Sequence, residues 1–126
     1  MVEGQNQQSR EEKATEFQGG DVLLLDSTNA ISDGDTSATA NETATTADGD
    51  WAISNDNTAG TTTLENSADI NFGQTGDFVI AQILVESSST SGNYLIDDNP
   101  TGDTDLSGDG EFTIQANNLT YTLGSE

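Results

Sequence analysis

Residues 77–87 read "DFVIAQILVES", and the fold turns on how that stretch is placed. Successive side chains of an extended chain point to opposite faces. Phe78, Ile80 and Leu84 therefore share one face, and Val79, Ala81, Ile83 and Val85 share the other. Apolar residues on both faces mark a central strand covered from two sides. Downstream, "NYLIDD" (93–98), "EFTIQAN" (111–117) and "LTYTLGS" (119–125) are shorter, with Phe112 and Ile114, then Leu119, Tyr121 and Leu123, in alternation. Upstream lie "DVLLLDS" (21–27), "DWAIS" (50–54), which puts Trp51 and Ile53 on one face, and "TTTLENSADINF" (61–72), which points Ile70 and Phe72 the same way. A polar stretch rich in Ala, Thr and Asp separates the first two, from Thr28 to Gly49, and reads as a long loop. About seven short strands divided by Gly, Asp and Asn turns predict an all-β fold, an antiparallel β-sandwich of jelly-roll or immunoglobulin-like type over residues 21–126. Its expected core is Trp51, Ile70, Phe72, Phe78, Ile83, Val85, Phe112 and Tyr121.

Residues 1–20 differ in kind. In "SREEKATEF" Ser9 reads as a helix N-cap with Glu12 at the capping-box position, and Gly19 and Gly20 suit a helix stop or hinge. Both basic residues of the chain, Arg10 and Lys13, fall here. A helix this polar offers no apolar face to its own core, so the segment reads as an N-terminal helical arm. It is expected to bind outside its own domain, with Val2 and Phe17 as small anchors and Arg10 hydrogen-bonded to a carboxylate of the neighbour.

Composition sets the environment. The chain has 126 residues with 23 Asp and Glu against 2 Lys and Arg, a net charge of −21. Leu, Ile, Val and Phe number 9, 7, 4 and 4, so 24 of 126 residues must seal the interior, a share at which many chains stay disordered. Asp exceeds Glu by 14 to 9, and Thr and Ser are abundant. This composition resembles that of proteins from extreme halophiles, the alternatives being an acidic disordered segment or an ordinary acidic domain. At about 1 M ionic strength the screening length is ~3 Å, so surface carboxylates repel one another weakly while salting-out strengthens burial of a small core. In dilute buffer the same charges oppose compaction.

The chain contains no Cys and no His, which removes disulfides, Cys or His zinc sites, and Ser-His or Cys-His nucleophiles. Paired carboxylates among so many acids are coincidental, so no catalytic role is assigned. Clustered Lys or Arg, which phosphate contacts require, are missing, so nucleic acid is not an expected partner. No apolar run approaches the length of about 18 residues needed to span a bilayer, and no secretory signal follows Met1, so a membrane partner is not expected either. "DTDLSGDGE" (103–111) places Asp103, Asp105, Ser107 and Asp109 at alternate positions of a calcium-loop pattern, with Gly108 at the turn. Ile114 stands where such a loop expects its bidentate acid. These four residues are at most a weak site for Ca, Na or K, and no other cofactor is expected. Asn41 in "NET" and Asn118 in "NLT" fit the glycosylation sequon, which arises by chance in a chain rich in Asn and Thr.

The order of these segments carries a resemblance. Trp51, then "TTTLENSADINFG" (61–73), then the two-sided strand, then "SSTSGNYLI" (88–96), "SGDGEFTI" (107–114) and "NNLTYTL" (117–123) resembles a β-sandwich module that recurs in virion proteins of tailed bacterial and archaeal viruses. In that module an N-x-x-x-I-x-F strand, here Asn66, Ile70 and Phe72, precedes the central strand, and a closing L-x-Y-x-L strand ends it. The match covers roughly residues 50–123. The resemblance implies a structural role in a tail fibre, a collar or a capsid-surface decoration. Together with the acidic composition it implies a virion protein of a haloarchaeal tailed virus, assembled in a high-salt host cytoplasm and placed on the virion surface. Two function classes follow. One is a turret or decoration subunit that meets copies of itself and the major capsid protein or another virion protein. The other is a tail-fibre or adhesin-type module whose 28–49 loop touches the host surface.

Overall fold

The computed structural model describes residues 5–108 and 110–124. Nine strands lie among them: β1 (Val22–Leu25), β2 (Glu42–Ala44), β3 (Trp51–Asp56), β4 (Thr61–Asn66), β5 (Ile70–Gln74), β6 (Gln82–Glu86), β7 (Tyr94–Asp97), β8 (Glu111–Ile114) and β9 (Thr120–Gly124). One helix, α1 (Gln7–Thr15), precedes them. Every strand pairing is antiparallel, in three sheets ordered β2-β1-β6-β7, β3-β4-β9 and β5-β8. The protein is an all-β sandwich.

The first sheet is apolar on both faces. Val22 and Leu24 of β1 and Ile83 and Val85 of β6 turn inward to meet Trp51, Leu64 and Tyr121 of the second sheet and Ile70, Phe72 and Ile114 of the third. Leu23, Leu25 and Leu84 turn outward and are covered by Ile31, Ala38, Ala40, Tyr94 and Ile96. Full burial of each of these aliphatic side chains contributes about 1.5–3 kcal/mol. In the second sheet Thr62, Leu64 and Asn66 alternate inward, in the period of a half-buried strand.

The predicted central strand is shorter than its apolar run. Regular pairing begins only at Gln82, and residues 78–80 instead run beside the 104–106 segment: Ile80 N–H donates to the Thr104 carbonyl (2.7 Å) and Leu106 N–H to the Phe78 carbonyl (2.9 Å). Val79 makes only an isolated bridge to Asp105 and is 53 % exposed. The break in phase lets Ile80 join Ile83 and Val85 in the inner core. Of the expected core, Trp51, Ile70, Phe72, Ile83, Val85 and Tyr121 are buried, while Phe78 and Phe112 are partly buried against it. Phe112 still meets Phe72 with ring centroids 5.7 Å apart.

The stretch read as one strand over 61–72 is two strands in two sheets, and Asn66 turns the corner between them. Its Nδ2 donates to the Ala68 and Gln115 carbonyls (2.9 Å each), and its Oδ1 accepts from Leu119 N–H (2.8 Å). All the hydrogen-bonding capacity that matters for a fully buried amide is thereby used.

Candidate functional site

The N-terminal segment is a part of the sandwich rather than an arm. Helix α1 begins earlier than expected, capped by Asn6, whose Oδ1 accepts from Ser9 N–H (3.0 Å). It packs against β4, with β3 and β9 beside it. Ala14 and Phe17 are buried, Phe17 within the main core, so Phe17 anchors the helix to its own domain. Arg10 is 3 % exposed. Its Nε donates to Thr62 Oγ1 (3.0 Å), one terminal nitrogen to the Gln5 carbonyl (2.8 Å) and the other to Asn57 Oδ1 (2.9 Å). The expectation of a free arm fails because the sheet supplies at Thr62 a polar acceptor on its inner face. A helix that buries one arginine and Ala14, followed by Phe17, can fill that end of the core without an apolar stripe. Lys13 is exposed, and Val2 lies outside the described residues. The hinge is closed as well: a β-carbon on Gly20 would collide with the Glu86 carbonyl, and Ser88 N–H donates to the Glu16 carbonyl (2.9 Å).

The long polar stretch is likewise fastened down. Gln82, in the middle of the two-sided strand, accepts from Ile31 N–H (2.8 Å) and donates from Nε2 to the Ile31 carbonyl (2.8 Å) and to Asp98 Oδ1 (2.6 Å). At its other end Asp26 accepts from Thr28 and Asn29 N–H, and Asn41 Nδ2 donates to Asp26 Oδ2 (3.0 Å). Those bonds, led by the Asn29 amide, hold the Asp26 carboxyl below the usual carboxylate range. The sequon nitrogen of Asn41 is thus already a donor inside the fold. A loop held at both ends and lying on Leu23, Leu25 and Leu84 is a lid on the outer core, not a free reader of another surface.

A cleft of about 410 Å³ opens between the 97–104 loop and β8. Ile80, Ile83, Ile114 and Leu119 form its apolar walls, Phe112 and Pro100 flank it, and Asp97, Asp103 and Glu111 stand at its edge. Strand β7 directs Asp97 here because Leu95, two residues earlier on the same face, packs on the inner core. Beneath it Tyr121 Oη donates to the Ile83 carbonyl (2.8 Å), and burial, then the charge of Asp97, pushes the phenol well above its ordinary range. Three carboxylates around an apolar floor favour neutral or cationic groups over phosphates. The lining offers only threonine hydroxyls and carboxylates as reactive groups, with no imidazole or thiol to activate them.

The calcium-loop pattern is divided by the fold. Asp103 faces the cleft. Asp105 Oδ1 instead accepts from Ser107 N–H (3.0 Å), and the Ser107 amide and hydroxyl lower its pKa. Gly108 N–H donates to Asp77 Oδ1 (3.1 Å), and Asp109 lies outside the described residues. Among the described residues no three His, Cys, Asp or Glu side chains are gathered as metal ligands. Asp105 acts as a turn former there.

Sequence reasoning missed Gln82, which organises the loop, and took Asn66 for the first residue of a strand motif, where it instead organises the sheet corner. The signal was a polar residue at an inward or two-sided position of an apolar strand. No protein-family model, curated protein or solved structure matches the chain.

Proposed function

We propose that the protein is a non-enzymatic structural subunit of a particle that exists in multimolar salt, a capsid-surface turret or decoration of a haloarchaeal tailed virus. One observation carries this reading: among the described residues no Asp or Glu is buried, whereas the buried polar side chains are Arg10, Thr62, Asn66, Gln82 and Ser87. The acid excess is a solvent-facing shell around a small core fixed by internal hydrogen bonds. That is the design expected of a rigid module whose surface must stay hydrated in concentrated salt, and it assigns the carboxylates to solubility rather than to chemistry. The resemblance of residues 50–123 to virion sandwich modules is what supports a place on a virion. With α1 docked on its own domain, attachment to the capsid or to further copies falls to the sandwich surface.

A tail-fibre or adhesin module is the second reading, and the cleft beside β8 is what favours it. The 28–49 stretch no longer does, since Gln82 and Asn41 hold it to the sheet.

Quantitative mass spectrometry of purified particles separates these outcomes. A copy number in proportion to the major capsid protein is expected. A handful of copies per particle supports the fibre reading, and absence from particles overturns both.

A further inference from the structure

Residues 112–125, "FTIQANNLTYTLGS", form the longest charge-free run in a chain of net charge −21, and they end in β9, which is an edge strand of its sheet. The Leu119 carbonyl accepts from Asn66 N–H (3.2 Å), which sets the phase of the β4–β9 ladder. Tyr121 and Leu123 then turn their backbone groups toward β4, and Thr120 and Thr122 turn theirs to the open side, because such pairs alternate along an antiparallel ladder. Both threonines are exposed, and no backbone hydrogen bond among the described residues takes up their outward groups.

Other edges of the sandwich are guarded. β2 carries Glu42, β3 ends at Asp56, β7 ends at Asp97, and β8 begins with Glu111, while β5 follows Asp69 and packs beside β2. An edge with unpaired backbone groups and no charge is a template for another strand. In molar salt repulsion is screened within ~3 Å, so what keeps carboxylate-bearing edges apart is the desolvation of their charges. β9 itself carries no charge, and the carboxylate against it, Glu65, lies on its β4 side, where it accepts from Thr120 Oγ1 (2.9 Å).

We infer that β9 pairs antiparallel with β9 of a second copy across a two-fold axis at Thr122, joining two three-stranded sheets into one of six strands. A copy of this chain is the occupant because, in a protein of net charge −21, this strand lets two copies pair with no carboxylate on either pairing strand. In that register Thr122 faces itself, Thr120 faces Gly124, and Tyr121 lies beside Leu123 on the inner face. Five residues per strand make a small contact, so the pairing is weak and reversible in solution, where a disulfide can trap it, and is reinforced by repetition on an assembly. The inference deepens the repetitive-assembly part of the proposed function. Monomers in solution together with high copy number on particles would remove the edge pairing and leave the virion reading standing.

The chain has no cysteine, so single-cysteine variants report the geometry cleanly. Full-length T122C, T120C and S54C are oxidised in multimolar KCl, with circular dichroism confirming that each is folded. Thr122→Cys is expected to give a covalent dimer, since directly opposed residues fall within disulfide reach, and T120C and S54C are expected to remain monomeric. Thr122→Pro, which removes an outward N–H that an edge strand can spare, should abolish any self-association seen by sedimentation. Equal cross-linking of all three cysteine variants, no dimer from T122C, or association undiminished in T122P overturns the pairing.

Discussion

Arg10 Nε lies 3.0 Å from Thr62 Oγ1, a bond between two buried residues 52 positions apart. Thr62 Oγ1 in turn donates to Asn55 Oδ1 (2.7 Å), so the chain's one buried cation enters a relay that ties α1 to β4 and β3. Its three recorded acceptors are neutral oxygens. In a protein so rich in carboxylates, this cation serves the core and leaves the acidic shell to water.

Arg10→Ala is therefore expected to destabilise the fold by about 2–4 kcal/mol, through the buried Thr62 hydroxyl left without its donor and the lost packing of the arginine stem. Lys13→Ala, on the exposed face, should change stability by less than about 0.5 kcal/mol. Urea titrations in multimolar KCl compare the two. Deleting residues 1–18 removes Phe17 as well and should unfold the domain. Equal midpoints for R10A and K13A would return the helix to the status of a loose arm.

Gln82 governs the lid over the outer face. Gln82→Ala should leave the core folded, at a cost of about 1 kcal/mol, while hydrogen exchange at the Ile31 amide accelerates. Unchanged protection at Ile31 would mean that the lid is held by apolar contact alone.

Acid should loosen the same lid at its other end. The pKa of Asp26 is lowered in the folded state, so its contribution is present above the ordinary carboxylate range and is lost as pH falls through the depressed value. Exchange at Asn29 and Asn41 should rise in that window, and Asp26→Asn should flatten the response. A lid equally mobile at neutral and acid pH in the wild-type protein would contradict the assignment.

Alkali tests the inner core. The pKa of the Tyr121 phenol is raised, so its stabilising effect is complete below the ordinary tyrosine value of about 10 and declines as pH climbs from there toward the folded-state value. Tyr121→Phe should lose about 1–2 kcal/mol at neutral pH, by leaving the Ile83 carbonyl short of a donor, and should lack this tyrosine's share of the alkaline decline. A variant as stable as the parent would show that the Tyr121–Ile83 bond contributes nothing.

The strands were legible where apolar residues alternate, as at Trp51 and Ile53 or Leu119, Tyr121 and Leu123, because period and burial coincide there. β6 was legible as two-sided, but its length was not: Phe78 to Ile80 are apolar enough for a strand, and only the 104–106 segment beside them breaks the phase. Arg10 and Gln82 were misjudged or overlooked for one physical reason. A polar side chain's place is decided by acceptors that arrive from distant sequence, Thr62 for the one and Ile31 for the other, and hydropathy patterns carry no record of them. Asp103 and Asp105 show the converse, a local spacing that suggests joint chemistry in a fold that sends the two carboxylates to different neighbours.

The most direct test of the central claim, an acidic shell around a small core that needs concentrated salt, is circular dichroism with Trp51 fluorescence along a KCl series. Trp51 is buried, its indole N–H donating to Thr46 Oγ1 (2.9 Å), and its emission reports the inner core. The account predicts β structure and a shielded Trp51 in multimolar KCl, with both lost together near about 0.1 M, where the screening length grows to ~10 Å. A spectrum and emission unchanged across that range would contradict it.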